Sequence, residues 1–211
     1  LFGKGVCGSG LPGASYADVS LELFRLTGGF AAVLDAGGIA GSQGGLARHA
    51  IFRTRCLLKD LSETAGLASR LLTAADFHDR DRLADLLLEH RNGMKSALIP
   101  SGHHFASLRA AAMLSPSVAV EEQWKGVTQL AFVDGLAASL AAELPRFIED
   151  LEGIRAAVVR RGALVANATA AAECFPDVER AVGEIAQSLE PGTPSAAAPA
   201  APFIPPEVRA E

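Results

Sequence analysis

The sequence predicts an α+β domain, an incomplete antiparallel sheet packed on a large helical block, and three observations carry that prediction. Two extended segments fall early, a long run with helical apolar spacing follows, and a strand-like segment and a last helix close the order. Strands and helices grouped in blocks, without βαβ alternation, read as α+β. The composition agrees: of 211 residues 49% are apolar but only 6% aromatic, and Ala supplies much of the apolar share. Such a chain suits closely packed helices better than an all-β sandwich.

Residues 1–13 are Gly-rich and aperiodic and end in Leu11-Pro12-Gly13, so a loop is expected there. Ser15 and Asp18 stand at capping-box spacing. A helix is therefore predicted to about Leu26, with Val19, Leu23 and Leu26 on one face and Thr27-Gly28-Gly29 as its stop. Residues 30–36 and 49–58 read as strands separated by the Gly-rich stretch 37–45. In the second, Ile51, Arg53 and Arg55 alternate with Ala50, Phe52, Thr54 and Cys56, a pattern for one wet face.

From residue 60 the apolar spacing becomes helical. Residues 60–73 place Leu61, Ala65, Leu67 and Leu71 in phase, and residues 80–98 do so with Leu83, Leu87, His90, Met94 and Leu98. Pro100-Ser101-Gly102 breaks the chain, and Ser101 is placed to cap a helix over 103–113. Ser115-Pro116-Ser117 breaks it again before a helix over 118–140 with an interruption at Lys125-Gly126, and Pro145 is expected to open a helix to 159. Residues 162–169 return to strand character and 176–189 form the last helix. Residues 1–189 are read as one domain, and 190–206, which hold six of the eleven prolines, as a Pro/Ala-rich linker. Residues 207–211 look like the entry to a following domain.

Nineteen Lys+Arg against 24 Asp+Glu give a net charge of −5, and no basic cluster exceeds Arg160-Arg161, so no nucleic-acid partner is expected. No uncharged apolar run is long enough to span a bilayer, so no membrane partner is expected either. Cys7, Cys56 and Cys174 are too few and too scattered for a disulfide framework or a CxxC knuckle. A reducing compartment is expected, bacterial cytoplasm or organelle matrix. The chain opens on Leu1, without Met or a signal segment, and is expected to begin partway through a larger protein.

Each chemical motif meets a plainer explanation. Gly3-Lys4-Gly5-Val6-Cys7-Gly8 matches GxGxxG, but no strand precedes it and Pro12 intervenes before any helix, so a loop explains it better. Ala40-Gly41-Ser42-Gln43-Gly44 resembles a nucleophile elbow that would expose Ser42 to a base, yet a strand follows where an elbow needs a helix; a hairpin loop is expected. The HxxEH frame ending at Glu89-His90 has Leu86 in place of the first zinc ligand. His90 is read as a hydrogen-bonded core residue, and His103 of the His103-His104 pair as a locally bonded residue at a helix start. Glu121-Glu122 and Asp79-Arg80-Asp81-Arg82 are read as solvated faces, and Tyr16 and Trp124 as core or rim. No catalytic, cofactor-binding or metal-binding residue is assigned.

Several of these strings are similar, in order, to elements of the presequence-protease subfamily of the pitrilysin/insulinase zinc metallopeptidases. Tyr16-Ala17-Asp18-Val19 with Leu26-Thr27-Gly28-Gly29 resembles one. The run from Ser101 to Ala110, then Leu114-Ser115-Pro116 and Trp124-Lys125-Gly126, resembles another. Leu144-Pro145-Arg146 and Val165-Ala166-Asn167-Ala168-Thr169 extend the likeness over nearly all of 1–189. The resemblance implies a third, non-catalytic domain of a four-domain chain whose first domain holds zinc and HxxEH. It implies two partners, the catalytic half of the same polypeptide and an unfolded peptide substrate enclosed in a chamber. It implies zinc in the parent enzyme, none in this chain, and no catalytic residue here.

Two rivals stand beside that reading. One is a free-standing helical interaction module without peptidase activity, which an acidic Ala-rich helical block equally permits; the other is a serine hydrolase using Ser42.

Overall fold

The capping box at Ser15 forms in the computed structural model, which describes residues 1–42 and 45–192. Asp18 N–H donates to Ser15 Oγ at 3.2 Å, and Asp18 Oδ2 accepts from Ser15 N–H at 3.0 Å. Two donors that a helix start leaves without partners are thus satisfied. Helix α1 spans Phe2–Gly8 and α2 Tyr16–Leu26. Strands β1 (Phe30–Gly38) and β2 (Leu46–Thr54) make a two-stranded antiparallel sheet, and α3 to α9 span Leu61–Ala74, Arg80–Leu98, Gly102–Ala111, Pro116–Lys125, Val127–Ala138, Leu140–Val158 and Phe175–Ser188. The α+β reading holds.

The chain divides into two compact units. The first, residues 1–33, 51–86 and, among those described, 141–192, centres on α3, which packs against α9, α2 and α1. Helix α3 buries Ala65, Leu67, Ala68 and Leu71 on one stripe, and α8 buries Leu144, Phe147, Ile148 and Leu151. Phe77, fully buried, meets the Phe2 ring edge-on at 6.0 Å and carries the Arg155 guanidinium 4.5 Å above its face. Aromatic edges and a stacked cation add to plain burial.

The second unit takes residues 34–50 and 87–140. Helix α6 packs against both α5 and α7, over Phe105, Ala112, Ala119, Val120 and Val133. Pro116 sits in the first turn of α6, where its missing N–H costs nothing, and Gly126 separates α6 from α7. Asp134 on α7 receives Arg91 Nε at 2.5 Å and Lys95 Nζ at 2.7 Å from α4.

Several local expectations are corrected. Residues 2–8 are helical, not loop, because packing overrides the low propensity of three glycines: a Cβ on Gly3 would stand 2.6 Å from Ala32 Cβ, and one on Gly8 2.7 Å from Leu86. Strand β2 is Leu46–Thr54, three residues earlier than expected, since Ile39 N–H closes the turn on Gly45 C=O at 2.9 Å and pairing starts at once. Ile51 and Phe52 are both half-buried, so β2 lacks a single wet face; Phe52 stacks on Phe30 at 6.1 Å. Pro145 lies inside α8, not at its start: the carbonyl it leaves unbonded belongs to exposed Ala141, which water reaches. Residues 162–169 form no strand, because no described strand offers a ladder. Ser101 stands at the α5 N-cap, but its hydroxyl makes no capping bond.

Candidate functional site

A shallow groove of about 430 Å3 in the first unit runs between α2 and the start of β1, lined by Cys7, Tyr16, Val19, Leu23, Phe24 and Phe30 among others. The capping box fixes the start of α2, and Thr27 its end: Thr27 Oγ1 donates to Leu23 C=O at 2.8 Å and accepts from Gly29 N–H at 3.1 Å. Tyr16 carries the Arg82 guanidinium 3.5 Å from its ring centre, while Arg82 Nε donates to Gly8 C=O at 2.7 Å. Phe24 is 85% exposed at the rim.

Cys7 lines this groove with a displaced pKa. Burial pushes its thiol up to about 11, and the hydrogen bond with the Ala32 backbone and the charge of Lys4 only partly oppose that. The thiolate is the nucleophile, so the raised pKa lowers the reactivity of Cys7 at neutral pH. Apolar contact, not chemistry, is what the groove offers.

The second unit holds the most enclosed polar group. Glu122, 0% exposed, accepts from Thr128 N–H at 3.1 Å and from Thr128 Oγ1 at 2.7 Å, and its Oε2 lies 3.3 Å from Arg109 Nη1. Its carboxylate therefore sits on the first turn of α7, where a helix favours negative charge. A Cβ on Gly126 would lie 2.6 Å from Glu122 C=O and 2.8 Å from its carboxylate, so only glycine fits that corner.

Other residues singled out in the sequence fall as follows. The GxGxxG string lies in α1 and its glycines serve close packing. Ser42 is at the β1–β2 hairpin tip, beside Gly41 at φ 78°, and among the described residues its hydroxyl meets no histidine. Gln43 and Gly44, also in the elbow-like string, lie outside the described residues. His90 is half-buried on α4, not core; His103 and His104 are exposed, and the His104 ring meets Phe105 edge-on. Trp124 is half-buried and Tyr16 exposed, which puts both at the rim.

One reading as solvated charge is overturned, at Glu122, and the other holds for Asp79, Arg80 and Asp81, which are exposed, but not for half-buried Arg82. Glu121 pairs with Lys125 one turn on, but Glu122 is buried. Asp79 Oδ1 accepts from Arg82 N–H at 3.0 Å and so caps α4, and Arg82 ties α4 to α1 and α2. The missed signal at Glu122 is its phase, one turn after Val118-Ala119 and one before Gly126. Among the described residues no three His, Cys, Asp or Glu side chains cluster as metal ligands, so they do not fit a zinc site.

The family of domains associated with peptidase M16, subfamily C, matches residues 1–136. The mitochondrial presequence protease of Danio rerio is 30% identical over 148 residues, 64% of this chain and 14% of that protein. Presequence protease 1, chloroplastic/mitochondrial, of Arabidopsis thaliana is 28% identical over 145 residues, 69% of this chain and 13% of that protein. The mitochondrial presequence protease of Yarrowia lipolytica is 34% identical over 86 residues, 41% of this chain and 9% of that protein. The chain thus covers only 9–14% of the length of these relatives.

Proposed function

The chain belongs to the family of domains associated with peptidase M16, subfamily C, and from that footing we propose that it is a non-catalytic domain of a zinc metallopeptidase of the presequence-protease type, acting on short unfolded peptides. Its place is the wall of a closed chamber, with residues 1–189 as the domain and 190–206 as a linker into a following domain. Residues 193–211, on which most of that linker reading rests, lie outside the described residues. The observation that carries the proposal is the match over 1–136 together with much longer relatives, of which the chain covers at most 14%, all three of them proteases by name.

In this reading the domain contributes enclosure. A wall that closes over an extended peptide excludes water and folded proteins, so selection comes from access, and the chemistry belongs to zinc held by another domain. A Cys7 thiol whose pKa burial raises and a Ser42 hydroxyl that meets no histidine among the described residues support this reading. Exposed Phe24, Ile99 at 94% and Leu114 at 87% suit contact with the rest of the polypeptide, its catalytic half included. The compartment proposed is reducing, an organelle matrix or bacterial cytoplasm: the named relatives are mitochondrial or chloroplastic, and no described helix is long and apolar enough to cross a membrane. The coding frame tests the proposal. An HxxEH several hundred codons upstream of Leu1 supports it, and a start codon immediately before Leu1 turns the chain into a free-standing interaction module.

A further inference from the structure

The groove between α2 and β1 has a guanidinium at each end. At the start of α2 the Arg82 guanidinium lies 3.5 Å from the Tyr16 ring centre, with its Nε on Gly8 C=O. Past the end of α2, Arg55 Nε donates to Gly28 C=O at 3.0 Å, and a Cβ on Gly28 would stand 2.8 Å from that nitrogen. Tyr16 and Gly28 both line the groove. A third cation, exposed Lys4, acts on Cys7 in the groove wall. Among the described residues no carboxylate pairs with Lys4, Arg55 or the Arg82 guanidinium. The acids around α2 are engaged by other groups: Asp18 by Ser15, Glu22 by Arg70 at 2.8 Å and Glu63 by Arg25 at 2.9 Å.

Between the two guanidinium groups the lining is apolar. Val19 is buried, Leu23 and Phe30 are half-buried, and Phe24 stands exposed at the rim. Helix α2 has 11 residues, about 16 Å at about 1.5 Å per residue. An extended chain covers that span in about five residues, at about 3.3 Å each. The groove therefore matches an extended segment of that length, apolar along its middle and with a carboxylate near each end. Because the chain as a whole carries −5, three cations about one apolar groove run against its net charge.

We propose that this groove binds an acidic segment of an unfolded peptide, extended along α2, with two carboxylates about five residues apart and apolar side chains between them. The inference rests on the proposed peptidase reading for the source of that segment, the enclosed peptide, and deepens it with a charge preference. Charge complementarity selects the occupant. Guanidinium groups already held against an aromatic ring and a backbone carbonyl lose little freedom on pairing, and they favour carboxylates over amides and repel amines. The groove is also formed before any ligand arrives, since the Ser15 cap and the Thr27 hydroxyl fix both ends of α2.

Fluorescence anisotropy tests this on the complete polypeptide that the coding frame encodes, with a chelator present so that no probe is cleaved. The probes are three unstructured peptides with the same Leu/Phe centre, flanked at about five-residue spacing by a pair of Glu, of Gln or of Lys. At low salt the Glu peptide is expected to bind about tenfold tighter than the Gln peptide, and the Lys peptide weakest, a preference that fades in concentrated salt. Lys4→Gln combined with Arg55→Gln, both at exposed positions, is expected to abolish the preference, Arg55→Lys to retain it, and Phe24→Ala to weaken all three probes alike. Equal binding of the Glu and Gln peptides, or a preference that survives the double substitution in a chain that still melts cooperatively, overturns the proposal. Binding of none of the three also overturns it and assigns the groove to the rest of the polypeptide or to a second copy. A frame without HxxEH, with the Glu preference intact, removes the peptidase reading and leaves the groove's preference for an acidic segment standing.

Discussion

Arg109 on α5 and Glu122 on α6 form an ion pair at 3.3 Å in which the glutamate side chain is wholly buried. The carboxylate joins three helices, because Thr128 at the start of α7 also donates to it twice. Removing one partner of a buried charged network leaves the others desolvated without compensation. Glu122→Ala is therefore expected to lower unfolding free energy by about 3 kcal/mol in denaturant titration. Arg109→Ala leaves the wholly buried carboxylate without its cation, whereas after Glu122→Ala the part-exposed Arg109 can turn to water, so Arg109→Ala is expected to cost at least as much. A near-neutral Arg109→Ala would contradict this network.

Glycine substitutions separate close packing from mere flexibility. Gly126→Ala places a methyl 2.6 Å from backbone oxygen and is expected to cost about 1–3 kcal/mol as overpacking. Gly3→Ala meets Ala32 Cβ, which cannot rotate away, and should behave alike. Gly93→Ala on α4 enters open space and is expected to stabilise by about 1 kcal/mol through helix propensity. Thermal melts of the three variants decide the matter; a destabilised Gly93→Ala would refute the reading.

Cys7 links burial to pH. The unfolded chain releases the thiol proton near the ordinary value of 9.0 and the folded chain only near 11. Above pH 9 the unfolded state therefore binds fewer protons than the folded one, and stability falls as pH rises through that window. Cys7→Ala should flatten this fall. Alkylation at pH 7.5, followed by peptide mass spectrometry, should modify Cys7 more slowly than Cys56 or Cys174.

Asp134 shows the opposite sign. Hydrogen bonds from Lys95 first and Arg91 second hold its carboxyl below the usual value. Its contribution is present above the ordinary carboxylate range and is lost as pH falls through the depressed folded value. Asp134→Asn should lower the melting temperature at neutral pH and low salt, with the difference shrinking in concentrated salt and at strongly acidic pH.

Helices with a strong cap or a clear apolar stripe were legible from sequence: Ser15 and Asp18 placed α2, and residues 80–98 coincide with α4. What escaped depends on partners distant in the chain. Three glycines in seven residues argue against helix locally, and only Ala32, Phe77 and Leu86 explain α1. Glu122 looks like surface charge until Arg109 and Thr128 are brought to it. Residues 162–169 have strand composition, but a strand exists only where another supplies its ladder. The strings behind the family resemblance fared better: Arg109 and Gly126 now have structural roles around Glu122, and neither role is chemical.

Metal content and peptide cleavage, measured together on purified residues 1–211 supplied with zinc and an unfolded peptide, test the non-catalytic role most directly. No stoichiometric zinc and no cleavage are expected. One tightly held zinc per chain with chelator-sensitive cleavage would contradict it.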